Sequence, residues 1–171
     1  SALVCAQAFD FETALSLAKY RGEVMQQAVP EGQGAMAAIL GLEEQKITEV
    51  CEQAAQGQVV QAANFNAPGQ IVIAGNTEAV TRAVDIAKSA GARRAVILPL
   101  SVPSHSILMK PAAEQLCDYL KGISIQAPRV GVIHNVDVKA HSDELEIKDA
   151  LYQQLFNPVR WVETIQFIVA Q

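Results

Sequence analysis

The sequence lacks the short motifs that mark nucleotide, dinucleotide and zinc sites. None of the patterns G-x-x-x-x-G-K-[ST], G-x-G-x-x-G, H-E-x-x-H and C-x-x-C occurs. The G-x-S-x-G elbow of serine hydrolases is missing as well. A general base in this chain must therefore serve a nucleophile that lies outside these residues, or one of the serines that no motif distinguishes.

Cysteines, basic clusters and long apolar runs are also scarce. Cys5, Cys51 and Cys117 are far apart, which indicates neither a disulfide framework nor a zinc site and favours a reduced, cytoplasmic setting. No apolar run approaches the ~20 residues of a membrane span. The net charge is −5 and no basic cluster is longer than Arg93-Arg94, which argues against nucleic acid or an anionic membrane as the main partner.

The chain has 171 residues, and half of them are apolar. This length and apolar content are sufficient for one domain or for a core with a smaller subdomain. Both ends are apolar, SALVCA at 1–6 and TIQFIVAQ at 164–171, whereas natural termini are usually polar and frayed. We therefore expect the chain to begin and to end within folded regions, as a segment of a longer protein would.

Between residues 34 and 98 the apolar residues alternate between the period of a strand and that of a helix. The predicted elements are strand 35–42, helix 47–55, strand 59–64, strand 70–74, a helix capped by Asn76, and strand 94–98. Asn, Pro and Gly residues predict a turn over 66–69. This β-α-β-β-α-β order predicts a ferredoxin-like unit, whose flanks at 30–34 and 99–103 are crossings to a larger body.

His105 follows a predicted buried strand and a proline-rich turn, LPLSVPSHS at 98–106. Imidazole titrates near neutrality, so a histidine fixed in such a loop is a candidate general base. The alternative is that Ser104, His105 and Ser106 form the capped entrance to a helix. The residues themselves leave both interpretations open.

Arg21 lies in the apolar stripe of a predicted helix that Asp10 caps and that ends before Pro30. A buried guanidinium needs an anion, and its planar fork fits a carboxylate. The alternatives are that Arg21 extends outward to solvent or pairs with an acidic side chain such as Glu12.

The remainder predicts helices at 112–120, 147–156 and 159–170 and a strand at 130–136. His134 alternates with apolar neighbours, which predicts a hydrogen-bonded sheet residue. His141 lies in a charged, solvated loop, and we assign it no role. The acidic residues around it match no calcium-binding loop.

Five stretches together resemble the malonyl-CoA:acyl carrier protein transacylases of bacterial fatty acid synthesis. They are SALVCA at 1–6, YRGEVMQ at 20–26, NFNAPGQIVIAG at 64–75, SVPSHS at 101–106 and NPVRW at 157–161. The resemblance runs through essentially the whole chain. It implies an α/β fold in which an α/β-hydrolase-like large subdomain, residues 1–30 and 100–171, carries an inserted ferredoxin-like (βαββαβ) subdomain, residues 31–99. The family's nucleophile elbow, early glutamine-bearing loop and glycine-rich later segment have no counterpart here.

The resemblance also implies roles for individual residues. His105 corresponds to the catalytic base, and Arg21 to the residue that binds the free carboxylate of the malonyl group. Asn66 and Asn64 would bind substrate from a loop near the active-site gorge. The family's nucleophilic serine would lie in a G-H-S-x-G elbow before Ser1, so Ser1 itself is not the nucleophile.

The implied reaction is ping-pong transfer of a malonyl group from malonyl-CoA, through a serine ester, to the phosphopantetheine thiol of acyl carrier protein. No cofactor is implied, because the CoA thioester is a substrate. We expect these 171 residues alone to be inactive, since they lack the nucleophile. Two alternatives are an acyltransferase domain of a polyketide synthase and a non-catalytic module that keeps the ferredoxin-like unit.

Overall fold

A computed structural model describes residues 1–100 and 102–171, so Ser101 of the SVPSHS stretch lies outside the described residues. The structure is a mixed α/β fold, as predicted. The helices are α1 (Ala2–Cys5), α2 (Phe11–Ala28), α3 (Glu44–Ala55), α4 (Thr77–Ser89), α5 (Lys110–Leu120), α6 (Glu144–Gln153) and α7 (Trp161–Val169). The strands are β1 (Gly34–Leu40), β2 (Val60–Ala67), β3 (Gln70–Asn76), β4 (Arg94–Ile97), β5 (Ile133–His134) and β6 (Lys139–Ala140).

Residues 34–97 form a four-stranded antiparallel sheet in the order β2-β3-β1-β4. The predicted alternation of strands and helices is therefore present. Successive strand residues point to opposite faces, so Ala37 and Ile39 of β1 pack with residues of α3 and α4, while Met36 joins a smaller cluster with Val72. The first of these clusters draws all of its buried members from residues 35–95.

The turn between β2 and β3 is shorter than the sequence predicts. Ala67 pairs with Gln70, which leaves only Pro68 and Gly69 outside the ladder. Gly69 has a φ of +68°, a conformation that glycine adopts at little steric cost. The predicted turn over 66–69 is therefore wrong at its start, and Asn66 belongs to β2.

The predicted capping role of Asn76 is also wrong in part. Asn76 occupies the N-cap position of α4, but its side chain makes no capping hydrogen bond there. Its Oδ1 instead accepts a hydrogen bond from the backbone N–H of Val59, at 2.8 Å. The side chain thus joins the start of α4 to the segment before β2.

A second core lies between α2 and α5, and its buried members come from residues 17–29 and 109–155. Asp10 caps α2 as predicted, since its carboxylate accepts from the N–H of Thr13 at 2.7 Å. Leu17, Val24 and Met25 are the buried residues of this helix. The helix therefore presents a continuous apolar stripe to α5.

The strand predicted over 130–136 is wrong in extent. Only Ile133 and His134 pair, with Ala140 and Lys139 across a tight turn. Val130 is 68% exposed. An apolar run forms a strand only where a neighbouring strand completes its backbone hydrogen bonds. Within the described residues, the neighbouring strand β6 has just two residues.

The free edge of β2 is joined to the segment after α6. The N–H of Phe65 donates to the carbonyl of Val159 and the N–H of Val159 donates to the carbonyl of Ala63, both at 2.9 Å. Asn64 and Val159 thereby form an isolated parallel bridge. Across the described residues, no helix is both long and apolar enough to cross a membrane.

Candidate functional site

His105 lies on a turn that local hydrogen bonds hold in place. Its φ of +62° is a left-handed conformation, which costs a non-glycine residue roughly 1–3 kcal/mol and is characteristic of functional sites. The N–H of His105 donates to the carbonyl of Leu155 at 3.0 Å. The buried hydroxyl of Ser106 donates to the carbonyl of Pro103 at 2.7 Å. These contacts fix the direction in which the imidazole projects.

The backbone carbonyl of Gln154 lies 2.7 Å from Nδ1 of the His105 ring, and the backbone of Asn157 also interacts with this ring. A carbonyl oxygen only accepts hydrogen bonds, so Nδ1 carries the proton. In the neutral ring Nε2 then carries the lone pair. This is the tautomer that a general base needs to take a proton at Nε2.

The surroundings of His105 also favour the neutral ring. Burial is the main cause that lowers its pKa, and the positive charge of Arg21 lowers it further, whereas backbone hydrogen bonds with Gln154 and Asn157 partly oppose this shift. The imidazole is therefore mostly unprotonated at neutral pH. The alternative of a plain helix entrance fits less well, because Ser106 makes no side-chain cap for the 3₁₀ turn Ile107–Met109.

Arg21 is half-buried on α2, within the apolar stripe between Leu17 and Val24. Burial lowers the pKa of its guanidinium, because a low-dielectric setting disfavours the charged form. Within residues 1–100 and 102–171 no carboxylate forms an ion pair with it, and the pairing with Glu12 considered from the sequence is not formed. Its charge is thus available to an anionic ligand close to His105.

The structure places the two predicted asparagines on one strand. Asn64 and Asn66 are two residues apart on β2, and both are partly buried. Register shifts interrupt the ladder between Ala62 and Asn64 and again between Phe65 and Ala67. Asn64 bridges to the segment that follows Gln154, whereas no described hydrogen bond joins Asn66 to His105 or Arg21.

Sequence reasoning missed the groups that hold His105. The carbonyls of Gln154 and Leu155 lie about fifty residues away along the chain, and a backbone carbonyl leaves no signature in side-chain identity. Gln61 is a third omission, because its Oε1 accepts from the N–H of Ile107 at 3.1 Å. It ties the segment after His105 to β2.

Two further histidines were considered from the sequence. His134 is a buried sheet residue of β5 that pairs with Lys139, as predicted, although its Nε2 has no hydrogen-bond partner among the described residues. His141 is mostly buried and lies between the carboxylates of Asp137 and Glu146, so it is not the solvated loop residue that was expected. In the part of the chain described, no group of three or more His, Cys, Asp or Glu residues is placed to hold a metal ion.

A cavity of about 870 Å³ lies between α2 and the segment after α5, and its lining includes Asp10, Thr13 and Tyr119. Neither His105 nor Arg21 lines it. The His105 imidazole and the Arg21 guanidinium therefore lie outside this cavity. The candidate site is defined by the groups around His105.

Comparison with known proteins gives a consistent result. The family model described as "Acyl transferase domain" matches residues 1–171. The malonyl CoA-acyl carrier protein transacylase of Haemophilus influenzae is 56% identical over 166 residues, which cover 97% of this chain and 53% of that protein.

Solved structures agree. The malonyl CoA-acyl carrier protein transacylase of Coxiella burnetii matches with a TM-score of 0.98 and 55% identity, over 99% of this chain and 54% of that one. A malonyl-transacylase solved in complex with its type II PKS acyl-carrier protein matches with a TM-score of 0.98 and 54% identity, over 99% of this chain and 55% of that one. The chain therefore spans about half the length of the relatives it matches.

Proposed function

Because this chain belongs to the acyl transferase domain family, we propose that it carries the base and the carboxylate-binding arginine of a malonyl-CoA:acyl carrier protein transacylase. The observation that carries the proposal is the hydrogen bond from Nδ1 of His105 to the carbonyl of Gln154. It leaves the lone pair on Nε2, where a proton can be accepted. The relatives named as transacylases motivate the choice of substrates.

In the proposed first half-reaction, a serine that precedes Ser1 in the longer protein gives its proton to Nε2 of His105. The serine oxygen attacks the thioester carbonyl of malonyl-CoA, and the carbon–sulfur bond breaks as the tetrahedral intermediate collapses. His105 returns its proton to the leaving thiolate, so free CoA departs. A malonyl ester remains on the serine.

In the second half-reaction, the phosphopantetheine thiol of acyl carrier protein gives its proton to Nε2 and attacks the ester carbonyl. The carbon–oxygen bond breaks, and the imidazolium reprotonates the serine oxygen. Malonyl-carrier protein leaves as a thioester. The enzyme returns to its starting state, and no oxidant, reductant or metal takes part.

Arg21 binds the free carboxylate of the malonyl group in this proposal. The guanidinium is half-buried and has no protein carboxylate as partner among the residues described. A malonyl carboxylate satisfies it through two parallel hydrogen bonds, whereas an acetyl group leaves it unpaired. Asn64 and Asn66 line the substrate path from β2.

We also propose the finer architecture that the sequence predicts. The order β2-β3-β1-β4 with two helices supports a ferredoxin-like subdomain at 31–99. The separate core of α2 and α5 supports a hydrolase-like large subdomain at 1–30 and 100–171. The two proposed subdomains meet where the backbone of Val159 is hydrogen-bonded to β2.

The proposed partners are malonyl-CoA and acyl carrier protein, in bacterial fatty acid synthesis. A related transacylase was solved with its acyl-carrier protein, which supports this type of partner. The three cysteines have free thiols, in keeping with a reduced, cytoplasmic setting. The base tautomer makes a non-catalytic module the weaker alternative, and the names of the relatives favour a transacylase over a polyketide synthase domain.

The test is a transfer assay with the longer protein that contains this chain. Radiolabelled malonyl-CoA is mixed with acyl carrier protein that bears the phosphopantetheine arm, and label on the carrier is measured after gel separation. We expect thioester-linked label, released by hydroxylamine. Carrier protein without the arm is the control and should remain unlabelled. Absence of label from the complete carrier would overturn the proposed function.

A further inference from the structure

His141 contacts two carboxylates at once. Its Nε2 lies 2.6 Å from Oδ2 of Asp137, and its Nδ1 lies 3.3 Å from Oε2 of Glu146. An ionised carboxylate only accepts hydrogen bonds, and a neutral imidazole offers a single N–H. Only the doubly protonated ring satisfies both contacts. The geometry therefore calls for a positively charged His141.

The other charged or titratable groups near this ring fit that charge. His134 of β5 lies with its ring centroid 5.4 Å from that of His141, and burial, followed by the charge of His141, lowers the pKa of His134. Asp149 of α6 lines the same cavity as His141. Arg160, just before α7, acts electrostatically on Asp137. The charged ring thus faces acidic groups on two elements and a histidine that remains neutral.

The two carboxylates belong to different elements. Asp137 lies in the turn between β5 and β6, and Glu146 lies in the first turn of α6. Protonated His141 consequently ties the hairpin to the helix. The contact with Glu146 is the longer one, and the Glu146 side chain is 59% exposed, so this is the weaker half of the bridge.

Helix α6 leads directly to the groups that hold the base. It ends at Gln153, and the next two residues, Gln154 and Leu155, supply the carbonyls that accept from the ring and the backbone N–H of His105. The hairpin also holds the other end of this segment, because the N–H of Arg160 donates to the carbonyl of Asn135 at 3.0 Å.

We infer that His141, in its protonated form, is a positioning residue: by tying the β5–β6 turn to α6 it keeps the Gln154 carbonyl aligned with Nδ1 of His105. This inference rests on the proposed function. The bridge needs both ring N–H groups, so it is complete only while the ring carries its second proton. The base has the opposite requirement, because His105 must be unprotonated.

The test compares pH profiles of kcat/KM for malonyl transfer by the longer protein. In the wild type we expect a rise to a plateau as His105 deprotonates. His141→Gln should lower that plateau about threefold and leave it flat, the size of effect that a partly exposed ion pair transmits. His141→Arg, which keeps a charged donor between the two carboxylates, should retain the wild-type plateau. Asp85→Asn, which changes an exposed carboxylate on α4 that pairs with Lys88, should keep the wild-type profile.

Coincident profiles for the wild type, His141→Arg and His141→Gln would overturn the inference. If His141→Gln unfolds, Glu146→Gln provides the second variant, because it cuts the link to α6 and leaves the Asp137 contact in place. It should reproduce the flat, lowered profile, and an unchanged profile would contradict the bridge.

A second measurement separates this inference from the proposed function. The ring proton resonances of His105 in the longer protein report its hydrogen bond to Gln154 without any substrate. We expect His141→Gln to shift them, and Asp85→Asn to leave them in place. If the wild type transfers no malonyl group, the proposed function fails, and the resonances alone decide the role of His141: an unmoved His105 signal overturns it.

Discussion

The loop that carries His105 and the hairpin that carries His141 place different groups around the same type of ring. In the loop, Nδ1 faces a backbone carbonyl and a guanidinium lies nearby. In the hairpin, both ring nitrogens face carboxylates. A carbonyl fixes the tautomer and adds no net charge, so the first ring remains neutral and keeps its lone pair. Two carboxylates need two N–H donors, so the second ring makes both contacts only when it is doubly protonated.

The polar partners of each ring decide its chemistry. Both histidines are shielded from solvent, yet only one is suited to accept a proton. Burial alone would have favoured the neutral form for both. The carboxylates of Asp137 and Glu146 therefore distinguish the surroundings of His141 from those of His105.

The largest effect is expected when the imidazole of His105 is removed. His105→Ala in the longer protein should lower the rate of serine acylation by about 10²–10⁴-fold, the usual contribution of a general base. Rapid-quench measurement of the malonyl-enzyme formed in the first turnover isolates this step. His134→Gln is the matched control for loss of a buried histidine. Near-normal acylation by a folded His105→Ala variant would show that His105 is not the general base.

The next effect concerns the cation beside the base. Arg21→Ala should erode the preference for malonyl-CoA over acetyl-CoA by about 10²-fold, since a buried charged partner of the substrate is lost. The ratio of the two kcat/KM values measures it. Lys19→Ala, which removes an exposed cation from the same helix, is the control. An unchanged ratio would exclude Arg21 from carboxylate binding.

A smaller effect is expected in the acid limb of the pH profile. The pKa of His105 is lowered by burial and by Arg21, so kcat/KM should rise with pH around a midpoint below about 6.5, the ordinary value for imidazole. Removing the positive charge in Arg21→Ala should move this midpoint upward. Lys19→Ala should leave it in place. A midpoint that moves downward in Arg21→Ala would contradict the proximity of the two groups.

The smallest effect is one of stability. The pKa of buried His134 is lowered in the folded state, so the unfolded chain binds its proton first as pH falls below about 6.5, and the free energy of unfolding decreases. His134→Gln should reduce this loss between about pH 7.5 and 5.5, on either side of the ordinary imidazole pKa, measured by urea unfolding of the longer protein.

The wild type and His134→Gln should therefore differ in the pH dependence of unfolding. Identical pH dependence in the two proteins would contradict a lowered pKa for buried His134.

Residues 34–97 were predictable because each element there buries its own apolar face. Alternation in β1 and helical spacing in α3 and α4 were sufficient to order the elements. The error at Asn66 arose because a Pro-Gly pair can close a turn alone, while asparagine in front of it is equally common in longer turns. The predicted strand at 130–136 was too long because sequence alone does not say how long its partner is.

The candidate site was predictable in its side chains and not in their partners. Arg21 in an apolar stripe and His105 after a buried strand are local patterns. The carbonyl of Gln154 became a ring acceptor only through tertiary packing. His141 was dismissed because Asp137 and Glu146 resemble an ordinary charged loop until the hairpin folds them around the ring.

The backbone hydrogen bonds between β2 and Val159 also affect how far this edge of the sheet is open to self-association. β2 is an outer strand of the sheet, and an outer strand with unpaired N–H and C=O groups invites pairing with a second copy and eventual aggregation. The bonds from Phe65 to Val159 and from Val159 to Ala63 occupy those groups near the middle of the strand. The same contacts that bring residues 154–159 beside β2 therefore cover one of the two outer strands of the sheet, the other being β4.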